Sequence, residues 1–268
     1  DNLIDVIDNS NDFYNNASLM DRLTDQNRLH VNSYTDIVSL GWFKGANFWS
    51  VNVGANLDLG VNIPKSMFNF LHDVDQENFN WNHAAFNIGR EELNINAYTE
   101  LGVGFARRIN NRLTVGGKVK FLLGMGNLNI KIDKINIDAN LPEDFENIDV
   151  NQLRDYHARM QVVARLESSI KGLDLVEDSY GSDPSKRYVN DLDYNSFGIS
   201  GYGGAIDLGA NYKLLDKLTL SASVLDLGFI SWSKKSTEVA VANGGIDYDG
   251  KDYELTVDGL ENFKRDAV

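Results

Sequence analysis

Between Trp49 and Ile63 every odd position is apolar: Trp49, Val51, Val53, Ala55, Leu57, Leu59, Val61 and Ile63. The even positions between them are serine, asparagine, aspartate or glycine. Side chains of a strand point alternately to its two faces, so this run predicts a strand with one apolar and one polar face. At about 3.3 Å per residue it reaches about 50 Å, against about 17–20 Å for an ordinary soluble strand. The same period recurs at 93–105, 113–125 and 202–212, and again from Leu218 to Val224. Leu29–Leu40 is a weaker example and is expected to pair with Trp49–Ile63. After Met125 the apolar phase moves to Leu128, Ile130 and Ile132. A one-residue flip needs a β-bulge, or marks where the strand leaves a membrane.

Alternation leaves open whether the apolar face meets a core or lipid, because a soluble β-protein gives the same stripe. Three features favour lipid. Strand length is the first. The polar face is the second: it is rich in Gly, Asn and Ser, which a crowded barrel interior accommodates and a solvent-facing sheet does not favour. The third is the connections. Gly41–Ala46, Arg108–Arg112 and Leu215–Lys217 are short, whereas Pro64–Arg90 and Asp133–Ser196 are long and polar. Following the chain up and down puts all the short turns at one end, as in outer-membrane barrels. Trp42, Phe43, Phe48, Trp49, Phe229 and Trp232 lie near strand ends, where interfacial girdles sit.

The expected fold is therefore all-β, an antiparallel transmembrane β-barrel with short periplasmic turns and long extracellular loops. Residues 1–28 form a polar N-terminal segment, loop or short helix. Residues 29–232 are expected to hold six to eight spanning strands, six of them clear from alternation, with 133–196 a long extracellular insertion that contains a strand around Met160–Ile170. Ser66–His72 reads as an amphipathic turn or two at the outer rim. Residues 233–268 are expected to be an extracellular hairpin or strand extension, with Asp249-Gly250 as the turn signal. The opening residues carry neither the basic stretch nor the apolar run of a signal peptide. No closing strand follows before Val268, so the expectation is a portion of a larger barrel.

Composition narrows the function classes. Lys plus Arg number 25 against 39 Asp plus Glu, a net charge of −14. Such a chain repels phosphate backbones, so no nucleic-acid partner is expected. Without Cys there are no disulfides and no thiolate metal sites. No apolar run approaches the roughly 18 residues of a membrane helix. His30, His72, His83 and His157 are scattered, with no spacing that would put two imidazoles on one metal. Gly198-Ile199-Ser200-Gly201-Tyr202 lacks the last glycine of a nucleophile elbow. The glycines around Val103 and Tyr202 lie inside strands and open no helix, which speaks against a phosphate loop. Asp247, Asp249, Asp252 and Glu254 place Gly250 wrongly for a helix–loop–helix calcium loop and read as a solvated hairpin tip. No catalytic, cofactor-binding or metal-binding residue is expected, and the protein is read as a non-enzyme.

The candidate site is instead the polar face: Asn52, Asn56, Asp58, Glu100, Lys118, Lys120 and Asp207 are expected to line a lumen. Its charges either select solutes or pair across strands. Of the two, pairing is favoured, with Glu100 directly opposite Lys118 or Lys120.

Several runs carry a resemblance. Ser39-Leu40-Gly41-Trp42-Phe43, Asn56–Lys65 leading to Phe68 and Phe70, Tyr98–Phe105, Leu113–Lys120, Ile206–Ala210 and Ser223–Trp232 resemble the Bacteroidetes outer-membrane β-barrel family of unknown function. The last two also resemble FadL-like and PorV-like barrels. The resemblance covers about Leu29 to Trp232. It implies a barrel in the bacterial outer membrane, without catalytic residues to carry over. Members of that family usually open on an Asn-Pro-Ala segment and continue for several more strands, which this sequence lacks. The function implied is porin- or transporter-like passage of a small or apolar solute. The expected partners are outer-membrane lipid and, in the lumen, lipid or detergent. The alternative is a non-transporting barrel that acts as scaffold or partner-binding subunit of a cell-surface complex.

Overall fold

The computed structural model describes residues 17–76, 78–142, 150–179, 187–256, 258–259 and 262. The chain is all-β and antiparallel. A short helix α1 (Ala17–Arg22) precedes β1 (Gln26–Lys44) and β2 (Asn47–Pro64). Pro64 ends β2, and the helix α2 (Lys65–Val74) follows where an amphipathic turn was expected. Then come β3 (Ala84–Ile88), β4 (Glu91–Arg108), β5 (Leu113–Asn140), β6 (His157–Ile170), β7 (Leu173–Ser179) and β8 (Arg187–Tyr194). The chain continues with β9 (Gly201–Leu215), β10 (Leu218–Trp232) and β11 (Thr237–Asp249).

Six of these strands are neighbours in the order β1-β2-β4-β5-β9-β10. They are the six that alternation predicts. The Leu29–Leu40 segment lies in β1 and pairs with β2, Leu29 opposite Val61 and Trp42 opposite Trp49. Its pattern is weak for a physical reason: a bulge between Asp36 and Val38 inserts one residue, and the apolar face passes from odd to even positions there. Among the described residues the sheet does not close. The outer edges of β1 and β10 have no partner strand.

The phase flip at Met125 is a bulge. Tyr98 faces Gly124 and Ala97 faces Gly126, so Met125 is the extra residue. It also marks where β5 exchanges partners. Up to Gly124 its second edge pairs with β9, and from Gly126 onward it pairs with β6. Ser200, fully buried, ties this junction. Its N–H donates to Gly124 O at 2.7 Å, its hydroxyl donates to Met125 O at 3.2 Å, and it accepts from the Lys171 N–H at 2.8 Å and, through its carbonyl, from the Ser233 N–H at 2.7 Å.

Beyond the junction the sheet continues as β5–β6–β11, with β3 along the other edge of β5. The segment expected as a long insertion from Asp133 thus begins inside a strand, since β5 runs to Asn140. The expected hairpin at Asp249-Gly250 is not one: β11 ends at Asp249 after pairing throughout with β6, and Gly250–Asp252 form a short 3-10 turn. Periodicity could locate that strand but not its partner, which lies about eighty residues earlier in the chain. A small core of Ala139, Leu141 and Leu153, joined by Trp81, Tyr156 and Tyr248, seals this end.

Candidate functional site

Burial in the six-stranded sheet is inverted relative to a soluble protein. Apolar side chains on one face are exposed, Val119 to 66%, Leu227 to 62% and Phe229 to 72%. On the other face Asn52, Glu100 and Lys120 are buried, at 3%, 2% and 7%. Contacts on the polar face skip strands: Tyr34 of β1 reaches Glu100 of β4, and Lys120 of β5 reaches Asp226 of β10. The sheet therefore curls with its polar face inside. Trp232, expected in an aromatic girdle, instead lies on this polar face, against Gly124 and Gly201 where a Cβ would meet its ring. Trp42, Trp49 and Phe105, partners in one row across β1, β2 and β4, do stand on the apolar face.

At the centre of the polar face is one ammonium among carboxylates. Lys120 Nζ lies 2.5 Å from Asp226 Oδ1, 3.0 Å from Asp207 Oδ2 and 3.5 Å from Glu100 Oε2. Glu100, the most buried of the acids, also accepts from Asn52 Nδ2 at 2.9 Å, from Asn56 Nδ2 at 3.5 Å and from the Tyr34 hydroxyl at 3.3 Å. The same hydroxyl has one proton to share between the two acids and lies nearer Asp36 Oδ1, at 2.5 Å, while it accepts from Asn52 Nδ2 at 3.0 Å. A carboxylate this far from water is tolerable only with a cation and several donors around it. Asn52 packs over Gly102, where a Cβ would come within 2.2 Å of its Oδ1. That close approach requires glycine.

All seven residues singled out in sequence lie on this face. Asn52, Asn56, Glu100, Lys120 and Asp207 share the network. Asp58 is bound one row away by Asn32 Nδ2. Lys118 is half-buried with its stem across Gly102, and no ion pair within 4 Å holds it among the described residues. The observed register lies beyond both expected alternatives, one same-face pair past the nearer. Glu100 faces Leu122, while Lys120 faces Gly102. The Glu100–Lys120 contact survives as a diagonal one, because a lysine is long enough to span neighbouring positions on one face. The turn decides this: Ile109 N–H bonds Leu113 O, and Asn110 Oδ1 accepts from Arg112 and Leu113. Connection length alone does not specify that geometry.

Tyr34, Asp36 and Asp226 were not anticipated. Both aspartates border bulges. Asp226 lies in the irregularity between Val224 and Leu227 of β10 and has φ 56°, a left-handed conformation that Asp adopts more readily than bulkier residues. Its N–H donates to Asp207 Oδ1 at 2.8 Å, which fixes the kink and points the carboxylate at Lys120. The break in alternation after Val224 was the available signal. Further along the face, asparagines pair across strands: Asn127 Nδ2 donates to Asn96 Oδ1 at 2.6 Å, and Asn129 to Asn94.

Outside the six strands, two of the four acids expected at a hairpin tip, Asp247 and Asp249, meet a cation. Arg159 of β6 donates through Nε to Asp247 Oδ1 at 3.0 Å and through its second nitrogen to Asp249, with Asp138 3.7 Å away. The Lys251 backbone N–H, 3.0 Å from Asp249, holds that carboxyl below its usual range, with the Lys251 and Arg159 charges adding to the effect. Among the described residues no group of His, Asp and Glu is arranged to hold a metal. The Ser200 hydroxyl is committed to backbone partners.

No curated protein and no solved structure matches this chain. One family does, over residues 1–268: the chain belongs to DUF5723, a family of unknown function.

Proposed function

We propose that the chain forms the wall of a non-enzymatic β-barrel in the bacterial outer membrane, and that small solutes pass along its polar face. The observation that carries this reading is the inverted burial. A soluble domain rarely exposes a contiguous apolar patch above a few hundred Å². Here one face of six long strands carries exposed large apolar side chains, among them Leu40, Val103, Val119, Leu208 and Phe229, while the opposite face buries a charged network. On β9, Tyr202 and Tyr212 stand on the apolar face at its two ends. Their separation, about 33 Å along the strand, projects to about 25 Å at a barrel's usual tilt, the height of a lipid-facing band. Backbone groups in hydrocarbon must all be paired. The reading therefore requires that the edges of β1 and β10 be paired in the membrane.

A second reading, a scaffold with a filled lumen, draws on a different observation. Lys120 is held by three carboxylates, and Trp232 lies across the same face. Such groups are poor candidates for transient solute contacts. The test is insertion followed by conductance. The purified chain should need detergent to stay dispersed and should insert into liposomes. A monomer stable without detergent overturns both readings. Inserted protein that gives no conductance in planar bilayers, and no uptake of small solutes by liposomes, leaves only the scaffold.

A further inference from the structure

We infer that the apolar-face groove beside the short turns is a phospholipid site, with an anionic headgroup on Arg107 and Lys44 and an acyl chain in the groove. The inference rests on the membrane reading and adds to it the lipid class that this rim selects. Phe105, Gly117, Leu208 and Val224 are successive partners across β4, β5, β9 and β10. Between Phe105, Leu208 and Val224, the small residues Gly117, Ala210 and Ala222 leave an open groove of about 550 Å³. Its walls are mostly apolar and suit a hydrocarbon chain.

The charge at its mouth identifies the other half of the ligand. Arg107 stands on the same face as Phe105, one row nearer the turns, and is exposed. Across Asn47 in the same row is Lys44, also exposed. Neither makes an ion pair within 4 Å among the described residues. Charge is also segregated along the strands. The three short turns and the strand residues next to them carry Lys44, Arg107, Arg108, Arg112, Lys213 and Lys217 against the single acid Asp216, in a chain of net charge −14. These turns lie together: Arg108 N–H bonds Ala46 O at 3.2 Å and Lys213 N–H bonds Arg112 O at 2.7 Å. A cationic rim below an apolar groove matches a phosphate below an acyl chain. Each cation near an anionic lipid surface favours binding by about fivefold.

The experiment inserts the full chain into vesicles of phosphatidylcholine alone and of an equal mixture with phosphatidylglycerol. Insertion is read by protease protection. After mild detergent extraction, lipids retained by the protein are weighed by native mass spectrometry. The expected result is equal insertion, with phosphatidylglycerol retained over phosphatidylcholine. Lys44→Gln with Arg107→Gln should reduce that preference by an order of magnitude or more. Ala222→Leu, which fills the groove from an exposed position on β10, should lower retention of either lipid without impairing insertion. Failure to insert at all would overturn the membrane reading itself. Insertion without preference overturns the lipid site alone. Loss of preference with Arg107→Gln but undiminished retention with Ala222→Leu would reduce the site to a headgroup contact and overturn the groove. A dimer in detergent that Ala222→Leu dissociates would make the groove an interface between copies, and the lipid assignment would fall.

Discussion

At the scale of single residues, the network around Lys120 is asymmetric, and its variants should reveal that. Removing the ammonium leaves three carboxylates facing one another, with Glu100 almost out of reach of water. Lys120→Met is expected to destabilise the inserted protein by about 3 kcal/mol, toward the low end for breaking a buried pair because Asp226 remains exposed to solvent. Glu100→Gln leaves Lys120 with Asp207 and Asp226 and should cost about 1 kcal/mol. Urea unfolding of the two variants in the same liposomes checks the order. A larger loss for Glu100→Gln would move the centre of the network away from the lysine. Asp226 contributes twice, by its charge and by its left-handed backbone. A β-branched residue there should add about 1–2 kcal/mol of strain to the lost ion pair, so Asp226→Val should be clearly worse than Asp226→Asn in that assay. A third residue-scale expectation concerns pH. Asp249 has a carboxyl pKa lowered in the folded state, chiefly by the Lys251 N–H. Its stabilising contribution is present above the unfolded carboxylate value of about 4 and is lost as pH falls through the lower folded value. Protection factors of the β6–β11 amides, which allow for the slower intrinsic exchange in acid, should therefore fall as pH drops over that range, and Asp249→Asn should remove that part of the dependence.

At the scale of elements, the sheet depends on its bulges. Those at Ile37 and Met125 and the irregularity at Leu225-Asp226 each shift the alternation by one residue, so that apolar side chains return to one face along strands of up to 28 residues. Without such a correction every later side chain would point to the wrong face. The two faces should respond oppositely to charge. Val103→Arg on the apolar face should cost about 2–4 kcal/mol in lipid refolding. In aqueous buffer, a soluble β-protein with that residue exposed would hardly notice it. Asn52 is not a mild site, as it would be if it faced a water-filled lumen. Its buried amide serves both Tyr34 and Glu100, so a bulky charge there should disrupt β1, β2 and β4 together.

At the scale of the whole molecule, the long connections and the β6–β11 extension lie beyond the Met125 bulge, and the three short turns lie at the opposite end of the sheet. If the barrel reading holds, trypsin added to intact cells should cut between β6 and β9 before it reaches Arg108 or Arg112. The fragments, identified by mass spectrometry, read the topology directly. First cleavage at Arg112 would reverse the orientation.

The alternation written into residues 49–63, 93–105, 113–125, 202–212 and 218–224 determined by itself that the chain is all-β, which strands are long, and which face of each is polar. These are local properties, set by a period of two and readable wherever it is unbroken. The phase break at Met125 and the Glu100–Lys120 contact were legible for the same reason. What only tertiary structure decided involves distant residues or a single backbone conformation. The exchange of β9 for β6 along β5 depends on Ser200 and Gly124, seventy-six residues apart. The one-pair shift in the β4–β5 register comes from the hydrogen bonds of the Asn110 turn. Asp226 enters the network because an irregularity in β10 turns it inward, and Tyr34, with Asp36 beside it, because the sheet curls far enough for side chains to reach across a strand. Local periodicity carries no information about curvature or about which distant edge a strand will meet.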